Sequence, residues 1–288
     1  SSTKKIKEMN KRDYDMRTIY EALSLAKKNN PEIQYPVFPF VFLKEKNIDI
    51  YPLSGRSNTE IIYCNENGFF SEFLTDRFGF NNPDEVWDKD RVEYLVIGDS
   101  YAYGNCVNRP DDIVSALRKI SKKNSINLGQ SGSGPLIEYA ILKEFYPQKV
   151  KKVIWLYYEG NDIYDLVLEL KNSFLRNYIS NKNFSQKLTL NQNEVNKIIE
   201  KKNKNRSFNQ PQPKLITIIK NFLKLTDLRS QIFSTEVEIP KEFEKIFANA
   251  KELALENGSE LVFVYLPEFS TLKNNFENRN YKKVKSII

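Results

Sequence analysis

The chain has 288 residues, 40% of them apolar and 28% charged, proportions that exclude a disordered protein. Its formal charge is +7, but the lysines are scattered in short clusters such as Lys201-Lys202-Asn203-Lys204, which reads as a solvated surface and not a nucleic-acid groove. No apolar run approaches the roughly 18–20 residues that cross a bilayer, and a chain without histidine lacks the commonest nitrogen ligand of a zinc site.

Residues 4–29 carry apolar positions at Met16, Ile19, Tyr20, Leu23, Leu25 and Ala26, a helical pattern that Asn29-Asn30-Pro31 ends. From Gln34 to about Phe80 the pattern is short and extended, through residues 37–43 and 61–63, with a turn at Asn65-Glu66-Asn67-Gly68. Residues 1–90 therefore read as an N-terminal accessory segment packed against a main domain at 91–288.

From Arg91 strand and helix alternate. Residues 92–97 predict a buried strand, then a helix over 111–122 with Ile113, Val114, Leu117 and Ile120 on one apolar face and Asp111 and Asp112 at its start. A second strand at 125–128 precedes a helix opened by Pro135, and a third strand follows at 153–158. A helix at about 241–256, ended by Asn257-Gly258, leads to a fourth strand at 261–266. Between the third and fourth strands lies an Asn- and Lys-rich insertion, about 167–240, with a helical stretch at 215–225. It reads equally as a lid over the site or as surface decoration.

This alternation predicts an α/β fold, a parallel sheet in a flavodoxin-like three-layer α/β/α arrangement. Right-handed crossovers put every strand-to-helix loop at the carboxyl edge of the sheet, where ligands bind in such folds. Three of those loops carry chemistry. Gly98-Asp99-Ser100 presents a hydroxyl directly after the first strand, with Gly98 permitting the turn and Asp99 able to tie it. Taken singly it is also an ordinary turn. The loop from Asn127 to Pro135 is rich in Gly and Ser and exposes backbone N–H groups near a helix start, which suits an anion or oxyanion. Its G-x-x-G-x-G spacing does not match a dinucleotide fingerprint, and no Walker lysine-serine pair is present. Gly160-Asn161-Asp162 ends the third strand, with an amide able to donate into the same cleft.

Together these blocks resemble the SGNH/GDSL hydrolase superfamily: GDS at 98–100, Asn127 followed five residues later by Gly132, and Gly160-Asn161-Asp162. The resemblance spans residues 92–166 closely and continues loosely to the fourth strand. It implies Ser100 as nucleophile. It also implies an oxyanion hole built from the Ser100 and Gly132 N–H groups and the Asn161 carboxamide, supported by Gly98, Asp99, Asn127, Gly160 and Asp162. Neither a metal nor an organic cofactor is implied. The implied activity is that of a serine esterase or acyl-transfer enzyme acting on an O-acyl ester, with an acylated glycan or small molecule as substrate.

The family's fourth element is a histidine, preceded three residues earlier by an aspartate. This chain has none. Truncation before that block is the expectation, which leaves these 288 residues without the base that serine needs. The alternative is a decayed, non-catalytic scaffold that binds carbohydrate or envelope. The chain also opens without an initiating Met, as a processed or trimmed protein would. Relatives with a Tyr63-to-Gly68-like segment point to a pairing of Cys64 with Cys106. That pairing would staple the accessory segment beside the nucleophile loop and imply a periplasmic or extracytoplasmic location, compatible with a membrane tether upstream of residue 1. Two reduced, buried thiols are the other reading.

Overall fold

The structure, a computed structural model, describes residues 14–45, 48–205, 238–273 and 279–288. The first helix among the described residues, α1 (Ile19–Asn29), begins later than the periodicity predicts. Thr18 and Glu21 form a capping box at its start, with Glu21 Oε2 accepting from the Thr18 N–H at 2.7 Å. Met16 therefore lies outside the helix and is 73% exposed, while Ala22 and Leu23 form the buried face; residues 4–13 of that reading lie outside the described residues. Residues 39–42 also depart from the extended pattern. Pro39 opens a 3-10 turn, Pro39–Phe42, whose Phe42 is buried against Tyr51. Strands β1 (Glu60–Ile62) and β2 (Glu72–Leu74) pair as a short antiparallel hairpin.

Four parallel strands form the main sheet: β3 (Val92–Gly98), β4 (Ser125–Asn127), β5 (Val150–Tyr158) and β6 (Glu260–Leu266), in the order β4-β3-β5-β6. The near-continuous apolar run of β3 follows from burial on both faces, while the edge strand β6 is only partly buried. On one face Val96 and Leu156 pack under α2 (Ser100–Tyr103) and α3 (Ile113–Ser121). On the other, Leu95, Ile97, Val153, Trp155 and Tyr157 pack under α4 (Pro135–Glu144), with α5 (Asp162–Glu169), α6 (Ser173–Ser180), α7 (Gln192–Lys204) and α8 (Glu242–Glu256) joining the same core. Each fully buried Leu or Ile here contributes about 1.5–3 kcal/mol. After β6 come α9 (Phe269–Lys273) and α10 (Arg279–Ile287), the latter seated by buried Val284 and by Tyr281 against Tyr265.

The fold is thus α/β with helices on both faces of a parallel sheet. In α3 the apolar face is narrower than predicted. Val114 and Leu117 pack inward, but Ile113 is 43% and Ile120 82% exposed. Asp112 caps that helix, accepting from the Ser115 N–H at 2.9 Å.

The accessory segment has a small cluster of its own, Ala22, Leu23, Ile33 and Ile62, but other residues from it enter the core of the sheet. Val37, Phe42, Tyr51, Leu53, Phe80 and Val86 share one cluster with Leu95, Ile97 and Trp155, and Phe80 meets Phe145 edge-on at 4.9 Å. A buried polar brace adds to this. Asp76 accepts from the Phe78 and Phe80 N–H groups, from Asn82 Nδ2 at 2.8 Å and from Trp87 Nε1 at 2.7 Å. Asn82 in turn bonds the Asn127 N–H and C=O at 2.9 and 2.8 Å and receives Arg118. Cys64 and Cys106 form a disulfide across 42 residues of chain, joining the accessory segment to the turn after α2.

Residues 206–237, including the helical stretch at 215–225, lie outside the described residues. The described part of the insertion is packed into the fold. Leu175, Tyr178, Leu188, Val195 and Ile199 are buried in the main core. Glu144 accepts from Tyr178 Oη and from the Gln186 and Leu188 N–H groups, and Gln186 Oε1 accepts from the Tyr51 N–H at 2.7 Å. Among the described residues no helix is long and apolar enough to cross a membrane.

Candidate active site

The strand order decides which loops meet. With β3 between β4 and β5, the loop carrying Ser100 lies between the loop carrying Gly132 and the loop carrying Asn161. The chain leaves β3 toward one face of the sheet and leaves β4 and β5 toward the other, which makes this edge a topological switch point.

In the first loop Gly98 has φ +150°, and a Cβ there would sit 2.8 Å from the Leu156 carbonyl oxygen of β5. Glycine is required both for the backbone and for the close approach. The Asp99 side chain caps α2, accepting from the Tyr101 N–H at 3.0 Å, and also accepts the Ser100 hydroxyl at 3.0 Å. Ser100 is the first residue of that short helix.

The second loop continues the ladder beyond β4, with the Leu128 and Gln130 N–H groups donating to Val96 O and Gly98 O at 2.8 and 3.1 Å. Asn127 is buried and faces away from solvent. Its Oδ1 accepts from the Gly129 N–H and its Nδ2 donates to Ala102 O at 2.6 Å, tying the loop to α2 behind Ser100. Gly132 has φ +70° and lies against the Phe40 ring, which a Cβ would approach to 2.7 Å. The sequence suggests amides at the α4 start open to an anion, and here the structure differs. The Gly134, Leu136 and Ile137 N–H groups already donate to the Glu169 carboxylate at 2.5, 3.0 and 3.2 Å.

The third loop closes the other side. Gly160 abuts the Tyr158 ring, and that ring lies 4.8 Å from Tyr101 beside Ser100. Asn161 Nδ2 donates to Asp165 Oδ2 at 2.7 Å. Asp162 is buried and accepts the Tyr158 N–H at 2.8 Å. Ser100, Gly132 and Asn161 are each partly accessible, whereas Asp99, Ser131, Ser133 and Asp162 next to them are buried. A separate cavity of about 410 Å³, lined by Arg56, Glu60 and Lys197 among others, touches none of the three loops.

Five carboxylates underlie this edge, three of which the sequence reading missed: Glu138, Asp165 and Glu169. Glu138 is fully buried and accepts from Trp155 Nε1 at 2.5 Å. Burial, then Asp162 and Asp99, hold it well above the usual carboxylate range. Asp162 is raised by burial first and by Asp99 second. Burial also pushes Asp165 up to about 6 and Glu169 to about 8, against the hydrogen bonds that each accepts. The recurrence of Asn161, Asp165 and Glu169 at every fourth position was the available signal.

These shifts set a sign for the pH dependence of stability. Asp165 and Glu169 start from 3.8 and 4.5, so in this range the folded state binds more protons than the unfolded chain. Their contribution is fully present below those ordinary values and is lost as pH rises through about 6 and about 8. Melting temperature is therefore expected to rise on going from pH 8 to pH 5, and Glu169→Gln should flatten that slope. Thermal melts across this range check it; a melting temperature that falls steadily with acidification contradicts it.

No protein-family model matches the chain, and no curated protein matches it. The functional reading therefore rests on the geometry of the three loops.

Proposed function

We propose that this edge is an acyl-transfer site of the SGNH/GDSL type, with Ser100 as nucleophile. The observation that carries the reading is the strand order, which sets the Ser100 loop between the Gly132 and Asn161 loops with all three residues partly accessible. In the proposed reaction Ser100 Oγ bonds to an ester carbonyl carbon while its proton passes to a base. The tetrahedral oxyanion takes hydrogen bonds from the Ser100 and Gly132 N–H groups and from Asn161 Nδ2. Collapse breaks the bond to the leaving alcohol, and water or an acceptor alcohol then releases the acyl group from Ser100.

The base is the open element. Asp99 accepts the Ser100 hydroxyl, but a serine nucleophile of this type relies on an imidazole to take its proton. The chain has no imidazole, so the reading needs one brought to Ser100 from outside these 288 residues. The substrate class is an O-acyl ester, with an acylated carbohydrate as the first candidate by analogy to the superfamily. An oxidising, extracytoplasmic compartment fits the disulfide.

The same missing histidine favours a second reading, a binding module on an SGNH-like scaffold that has lost catalysis. A serine-directed fluorophosphonate probe separates the two. Covalent labelling mapped to Ser100 by mass spectrometry, and abolished by Ser100→Ala, is the expected result. Labelling that survives Ser100→Ala means the nucleophile lies elsewhere. A native protein that resists the probe altogether supports the binding module.

A further inference from the structure

One face of α5 holds both loops that flank Ser100. Asp165 takes the Asn161 carboxamide at 2.7 Å, and Glu169, one turn further on, takes three N–H groups at the end of the Gly132 loop. Among the described residues Asp165 is the one partner of the Asn161 side chain, whose Oδ1 is buried without a hydrogen bond. Turning that carboxamide over would set its oxygen against a carboxylate oxygen. The charged acceptor thus selects one rotation of the group, and leaves the second N–H of Nδ2 as the donor available to an oxyanion.

Asp165 is itself wedged in place. A Cβ on Gly134 would stand 2.9 Å from the Asp165 Cβ and 2.7 Å from the Leu166 N, so loop two and α5 are in backbone contact there. The two flanking loops and the helix are thus held together.

We propose that Asp165 is a positioning residue for the acyl site, setting the rotation of the Asn161 carboxamide while Glu169 anchors the Gly132 loop from the same helix face. The inference rests on the reading of Asn161 as an oxyanion donor. It does not require Asp165 to touch substrate. The charged groups acting on Asp165 are acidic: Asp99 raises it, and it raises Asp162 and Glu169 in turn. With Asp165 held at about 6, the charge-assisted hydrogen bond is complete above that pH and is lost below it.

The test has two arms on the full-length protein. In the first, the side-chain amide protons of Asn161, assigned by their loss in Asn161→Ala, are followed by NMR against pH. They should shift with a midpoint near 6 and become flat in Asp165→Asn. Resonances that ignore Asp165 overturn the proposal, whatever the activity. In the second arm the rate of fluorophosphonate labelling at Ser100 is measured. Asp165→Ala should slow it about tenfold or more, and Asp165→Asn, whose carboxamide oxygen still accepts, should recover most of the rate. On an Asn161→Ala background Asp165→Ala should cost nothing further, because the partner it positions is gone. An equal loss on both backgrounds shows that Asp165 acts through general folding and overturns positioning. If Ser100 is not labelled in any variant, the acyl-site reading fails, while the NMR arm still decides whether Asp165 fixes the carboxamide.

Discussion

Asn161→Ala is expected to slow covalent modification of Ser100 on the order of 10²–10³-fold, with little change in melting temperature. The loss is large because a preorganised donor aimed at developing charge is worth about 3–4 kcal/mol in the transition state. Stability should barely move. Among the described residues the side chain makes a single hydrogen bond, to partly buried Asp165, and fills no position in the hydrophobic clusters. Comparing the second-order rate of fluorophosphonate labelling with the melting temperature separates these effects. A rate within about threefold of the parent would remove Asn161 from the proposed oxyanion hole. A matching fall in melting temperature would instead assign it a role in holding the loop.

The largest loss of stability is expected from Asp76→Ala, roughly 3–5 kcal/mol. Asp76 is buried and accepts four hydrogen bonds, two from backbone amides, one from Asn82 and one from the Trp87 indole. Removing the carboxylate leaves four donors without their acceptor, those of Phe80 and Asn82 among them buried, and each buried orphan costs about 1–3 kcal/mol. For a chain of this size that corresponds to a fall in melting temperature of about 10 °C. Asp76→Asn should recover part of the loss, since its carboxamide oxygen still accepts. A melting temperature within about 2 °C of the parent for Asp76→Ala would mean that the brace contributes little. The variant should also label more slowly at Ser100. Asn82, once released, no longer holds Asn127, and Asn127 Nδ2 bonds the Ala102 carbonyl of the nucleophile helix.

The sheet was legible because parallel strands buried on both faces leave contiguous apolar runs, as at Val92–Gly98; the edge strand Glu260–Leu266 carries an equally apolar run although it is only partly buried. The three loops were legible for the same reason. Gly98, Gly132 and Gly160 each stand where a side chain would strike a neighbouring group, so composition alone marks those turns. Helix periodicity was a weaker guide. Ile120 fits the predicted face of α3 but lies on its exposed last turn, and α4 is buried almost all round, with Glu138 and Glu144 inside. A charged residue in that helix looks solvent-facing in sequence; the Trp155 indole, the Tyr178 hydroxyl and the 185–188 turn explain why it is not. Asp165 and Glu169 escaped notice because their partners come from two different loops, one of them more than 30 residues away. Asn127 was legible as part of a motif, but its task as a brace behind Ser100 depends on Asn82 and Ala102, which no local pattern links to it.

Because Val37, Phe42, Phe80 and Val86 lie in the same cluster as Leu95 and Trp155, the first ninety residues are no detachable appendage. A polypeptide started at Arg91 would lose the Phe80 ring that packs on Phe145 and the Asn82 side chain that bonds the Asn127 N–H and C=O. Gene fusions or swaps that carry only the strand-and-helix portion should yield aggregates. The strands and the residues before Arg91 share one core and should fold only together.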